Sequence, residues 1–89
     1  MNKPTNIDLA RYFNVSFKKI DLWEQDKIKI YKALVYCFNR KDITIKKKVS
    51  KTDLADFYGV RRQNIYRWED KMPKIYKATL FYFINYFEE

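Results

Sequence analysis

The sequence predicts an all-α protein, a tandem helix-turn-helix in which two three-helix repeats pack as one small domain. Three observations carry this. The chain matches itself along most of its length, the matching segments carry helical periodicity behind cap residues, and one glycine and two prolines are the only strong breakers in 89 residues.

Shifted by 45 residues, "DLARYFNVSFKKIDLWEQDKIKIYKALVYCF" (8–38) falls without a gap on "DLADFYGVRRQNIYRWEDKMPKIYKATLFYF" (53–83). Thirteen of these 31 positions are identical, among them Leu9/Leu54, Ala10/Ala55, Val15/Val60, Ile20/Ile65 and Trp23/Trp68. Self-similarity at a fixed offset marks a repeated supersecondary unit. The division is residues 5–40 for the first repeat, 41–49 for a basic connector and 50–88 for the second repeat.

Each repeat opens on a capping box, Thr5 with Asp8 and Ser50 with Asp53. The hydroxyl accepts a free backbone N–H, and the acid answers the N–H of the cap residue. Leu, Ala and aromatics follow at helical spacing until Asn14 or Gly59, the residue types that best tolerate the left-handed backbone that stops a helix. Second helices are expected at 16–24 and 61–69, turning Ile and Trp inward. Third helices are expected at 28–40 and 73–88, with Pro73 at a first helical position that needs no N–H. These third helices, "IYKALVYCF" and "IYKATLFYFINYF", are apolar nearly all round, which predicts a shared spine buried on more than one side. Two readings of the spine remain: a single intrachain core, or a homodimer through the aromatic C-terminal helix. In the connector, Ile43, Ile45 and Val49 alternate, so a short extended stretch is expected, without a sheet.

Composition removes several function classes. With no histidine and one cysteine, Cys37, there is no nucleophile–base pair of the usual kind, no disulfide and no Cys/His metal cluster. A single glycine forbids a glycine-rich phosphate loop. No enzyme activity, metal or cofactor is expected. No apolar run approaches a bilayer span and the N-terminal residues contain no signal-like apolar segment, so no membrane role is expected and a cytoplasmic, nucleoid-associated location is. The net charge of +8 favours a polyanionic partner.

The placement of charge and small residues sharpens this. Counting from Lys51, Leu54, Ala55, Gly59, Val60, Ile65 and Trp68 occupy places 4, 5, 9, 10, 15 and 18; from Asn6, the first repeat repeats the pattern. Ala55 is small where the second helix crosses above the first, and Gly59 makes the turn. "LADFYGVRRQNIYRWEDKMP" resembles the phage repressor and Cro type of helix-turn-helix protein, strongly over about twenty residues of the second repeat and more loosely in the first. The resemblance implies a sequence-specific double-stranded DNA-binding protein, a small phage- or plasmid-type transcription regulator such as a repressor. It also implies that the second helix of the motif enters the major groove.

In the second repeat the residues placed to read bases are then Arg61, Arg62, Gln63, Tyr66 and Arg67. Arginine forks onto guanine and glutamine pairs with adenine. Lys46, Lys47, Lys48, Lys51, Thr52, Asn64, Lys71 and Lys74 are placed to follow phosphates, which set position and affinity without sequence choice. The first repeat instead has Ser16, Phe17, Lys18, Asp21 and Leu22 at the reading places. Phe17 and Leu22 would be left wet on a DNA-facing surface, so they point to a protein interface, with Lys18 and Lys19 keeping a DNA contact open. The expected mode is a homodimer on a palindrome, with a monomer reading through both repeats as a variant. The alternative function is a helix-turn-helix scaffold that binds a host protein and inhibits a nucleic-acid enzyme.

Overall fold

The computed structural model describes residues 3–38, 40, 43–45 and 47–88, and among these every regular element is an α-helix. They are α1 (Asn6–Phe13), α2 (Phe17–Asp26), α3 (Ile28–Cys37), α4 (Lys51–Tyr58), α5 (Arg62–Lys71) and α6 (Pro73–Glu88).

The starts and turns follow local chemistry. Thr5 Oγ1 accepts from the Asp8 N–H while Asp8 accepts from the Thr5 N–H, both at 3.1 Å, so the first capping box is complete. Ser50 accepts from the Asp53 N–H at 3.0 Å in the same place of the second repeat, but Asp53 does not answer the Ser50 N–H, so the second expected box is only half formed. Asn14 (φ 58°) and Gly59 (φ 67°) both adopt the left-handed conformation. The next residue then donates back to the helix, Val15 to the Ala10 carbonyl and Val60 to the Ala55 carbonyl, both at 3.0 Å. This bond pattern closes a helix and reverses the chain within two residues.

Two boundaries differ from expectation. The second helices run on to Asp26 and Lys71, because Lys27 and Met72 still donate to the carbonyls of Trp23 and Trp68 at 2.9 Å. In the other direction α3 stops at Cys37, since Phe38 turns to φ −59°, ψ 128°. Arg40, expected inside that helix, instead donates its Nε to the Tyr36 carbonyl at 2.8 Å and lies 4.4 Å over the Tyr36 ring.

The two repeats face each other around an approximate two-fold axis, and the sequence offset of 45 makes this visible. Trp23 meets its own counterpart Trp68 edge to face, with ring centroids 6.0 Å apart, and Tyr36 meets its counterpart Phe81 at 6.0 Å. Off the axis, contacts come in reciprocal pairs. Lys29 sits 4.4 Å over the Phe57 ring, and its counterpart Lys74 sits 4.8 Å over Tyr12, the counterpart of Phe57. The chain is thus folded as a dimer of its own halves. α3 and α6 form the spine, with Cys37 Sγ donating to the Ala78 carbonyl at 3.5 Å.

One continuous core results. Leu9, Ile20, Ile30, Leu34, Leu54, Ile65 and Ile75 are fully buried, and Trp23 and Trp68 nearly so. Ile43, Ile45 and Val49 of the connector pack against its edge without forming a strand. The α6 aromatics divide: Phe81, Tyr82 and Phe83 are half-buried, whereas Tyr86 and Phe87 remain 52% and 65% exposed. Phe57 gathers Phe83 at 5.2 Å, Tyr86 at 5.1 Å and Phe87 at 5.6 Å, so one side of the surface expected to join two chains is used within one.

Candidate nucleic-acid interface

The turn at Gly59 throws α5 across α4, and Ile65 and Trp68 pin it from below. With those two side chains inward, 3.6-residue periodicity turns Arg62, Gln63, Tyr66 and Arg67 outward. All four are exposed, as is Arg61 at the N-cap, while Asn64 is half-buried. The residues expected to read bases therefore share one open face.

That face keeps its positive charge. Among the described residues no acid pairs with Arg61, Arg62 or Arg67. The two acids of α5 lie at its far end and are occupied, Glu69 with Lys51 at 3.3 Å and Asp70 with Lys71 at 3.6 Å. Arg62 donates Nη1 to Thr52 Oγ1 at 3.3 Å. This contact joins an expected base reader to an expected phosphate contact and brings the starts of α4 and α5 together.

Comparing the two N-caps shows what the second repeat has given up. Ser16 (φ −70°, ψ 149°) accepts from the Lys19 N–H at 3.2 Å and caps α2. Arg61 has nearly the same backbone (φ −76°, ψ 147°) but makes no side-chain cap. Losing a serine cap costs about 1 kcal/mol. The start of α5 thus has no side-chain cap and two arginines beside it, an arrangement suited to an anion.

Several expected phosphate contacts are placed elsewhere. Lys51 is held inside the unit: besides Glu69, it lies 5.1 Å over the Tyr66 ring and 5.7 Å over the Tyr76 ring. Burial disfavours its charge, but the hydrogen bond to Glu69 and the neighbouring Tyr76 oxygen outweigh this and hold its pKa above the ordinary lysine value. Lys74 donates to the Tyr12 carbonyl at 3.1 Å and covers the Tyr12 ring, tying the repeats together. Both side chains therefore have partners within the chain, Lys51 half-buried and Lys74 still exposed. Lys47, Lys48, Lys71 and Thr52 lie exposed, and Lys46 lies outside the described residues.

The first repeat holds the counterpart of the Lys51 cluster. Asn6 Nδ2 donates to Glu24 Oε1 and Tyr31 Oη donates to Asn6 Oδ1, both at 2.9 Å. Sequence reasoning passed over these clamps, Asn6–Glu24–Tyr31 and Lys51–Glu69–Tyr76. The signal was present: Glu24/Glu69, Tyr31/Tyr76 and Lys29/Lys74 are polar yet identical between copies whose outer faces differ.

On α2 the outward face carries Phe17 and Leu22, 50% and 56% exposed, on either side of Lys18 and Asp21, where α5 carries Arg62 and Arg67. Lys19 lies over the Trp23 ring at 6.0 Å. Successive major-groove turns are about 34 Å apart. The longest extent of the molecule is 30 Å and the two second helices meet through their tryptophans. One chain therefore cannot place α2 and α5 in successive turns, which removes the monomer variant in that form.

No described helix is long and apolar enough to cross a membrane. Cys37 is buried, and burial pushes its thiol up to about 12 against a smaller opposing effect of Arg40. Comparison with protein-family models, with curated proteins and with solved structures gave no match to this chain.

Proposed function

We propose that this protein binds double-stranded DNA sequence-specifically and acts as a small transcription regulator, inserting α5 into the major groove. The observation that carries the reading is the divergence of the two repeats. They keep the same buried frame, yet at the outward places of the second helix one has Phe17, Lys18, Asp21 and Leu22, and the other Arg62, Gln63, Tyr66 and Arg67. A cationic face without acid partners among the described residues, at an uncapped helix start, suits a polyanion. Its arginines and glutamine are the side chains that discriminate base edges. Thr52, at the start of α4 and in contact with Arg62, approaches the phosphate beside them, with Lys47, Lys48 and Lys71 farther out.

Selection of bound duplexes from a random pool tests this directly. An enriched consensus is expected. Its affinity should fall roughly a thousandfold between 50 and 200 mM salt for about six phosphate contacts. No enrichment together with no salt-dependent duplex binding would reject the DNA reading. The exposed Phe17 and Leu22 would then favour the second one, a scaffold whose partner is a protein.

A further inference from the structure

The outward face of α2 has a pattern that α5 lacks. At 100° per residue, Phe17, Lys18, Asp21 and Leu22 span an arc of about 140° opposite the buried Ile20 and Trp23. In order they are apolar, cationic, anionic and apolar, arranged symmetrically about the midpoint between Lys19 and Ile20. A second α2 laid antiparallel across this midpoint sets Phe17 level with Leu22 and Lys18 level with Asp21, each twice, around a two-fold axis. Applied to α5, the same register sets Arg62 against Arg67, two like charges. Self-complementarity of this kind is what an isologous contact requires.

The surroundings agree. Phe17 and Leu22 are half exposed or more, and Lys18 pairs with no acid among the described residues. Among the described residues Asp21 accepts only an exposed bond from Gln25, at 3.3 Å. Ile7, 53% exposed, occupies the place that Thr52 holds in the second repeat. Since Thr52 touches Arg62, the duplication sets Ile7 on the same side as Phe17, the counterpart of Arg62, and widens the apolar patch.

We infer that the outward face of α2, with Ile7 beside it, is the surface through which two copies of this chain associate around a two-fold axis. The contact keeps both α5 helices away from that axis, each behind its own Trp23–Trp68 pair. The inference goes beyond DNA binding and is measured without DNA, so a failure to bind duplexes leaves it standing.

The test is sedimentation of the full chain without DNA over a wide concentration range. A reversible dimer is expected. Leu22→Asp should weaken it 100-fold or more, and Asp21→Lys should weaken it at least tenfold by setting cation against cation. The double exchange Lys18→Asp with Asp21→Lys should restore it, because it preserves opposite charges across the axis. These side chains are solvent-facing, so each variant should keep the helical circular dichroism and the melting temperature of the parent. Phe87→Ser, at the exposed end of α6, should leave the dimer unchanged. A parent monomeric at every concentration would overturn the inference. So would a dimer indifferent to Leu22→Asp and Asp21→Lys, one lost in Phe87→Ser, or one that the double exchange fails to restore.

Discussion

Replacing Arg61 by serine should make the protein more stable and worse at its proposed task. The backbone at Arg61 lies within a few degrees of that at Ser16, so a serine there enters without strain. In the first repeat, the Ser16 hydroxyl takes the Lys19 N–H at 3.2 Å. Asn64 offers the equivalent N–H, which already points back to the Arg61 carbonyl at 2.9 Å. The cap should contribute about 1 kcal/mol, which for a domain of this size raises Tm by roughly 4–8 °C. The same change removes one guanidinium from the face proposed to meet DNA. If Arg61 makes one bidentate base contact, its loss weakens the selected duplex by about 1–3 kcal/mol. That corresponds to roughly 5- to 150-fold. Thermal melting by circular dichroism and duplex titration read the two effects on one preparation. The reciprocal change, Ser16→Arg, should lower Tm by a similar amount. A Tm for Arg61→Ser that stays level or falls would refute the reading of an uncapped α5. Unchanged duplex affinity would refute a DNA role for this residue.

Arg62→Ala and Arg67→Ala should relax base preference on a selected duplex, whereas Lys48→Ala should weaken all duplexes alike and lower the salt slope by about 1, as read by titration at several salt concentrations. Trp68→Ala opens the seam between the repeats, and a loss of about 3–5 kcal/mol is expected in urea unfolding, a large part of the stability of a small domain. Gly59→Ala should cost about 1 kcal/mol because of its left-handed backbone, since a Cβ there meets only the Lys27 ammonium at 3.9 Å; Gly59→Asn, copying Asn14, should cost less in the same assay. Burial raises the Cys37 thiol from its ordinary value of 9.0 to about 12, so between these pH values the unfolded chain releases a proton that the folded chain keeps. Stability should therefore fall as pH rises through this window, by at most about 1.4 kcal/mol per pH unit from this thiol. Cys37→Ala should flatten the fall in urea unfolding between pH 8 and 10.

The outward side of α5 was legible in the sequence because helical periodicity decides it. Once Ile65 and Trp68 are inward, Arg62, Gln63, Tyr66 and Arg67 must be outward, whatever the rest of the chain does. The lysines were not legible in the same way. Lys51 and Lys74 look like any exposed cation in a basic stretch, and their partners Glu69 and Tyr12 lie 18 and 62 residues away. Their identity or function across the repeat was the available clue: Lys29/Lys74 is retained outright, and Asn6 performs in the first copy the role of Lys51 in the second.

The amino-acid order alone determined the six helices, their caps and left-handed stops, the duplication, and which side of each second helix looks outward. All of these depend on bonds and periodicities confined to a few neighbouring residues. Only tertiary packing decided that the two copies close on each other through Trp23 and Trp68, that the end of α6 meets Phe57, and which cations find partners within the chain. Those outcomes depend on which side chains meet across the spine, and separation along the chain carries no record of distance in space.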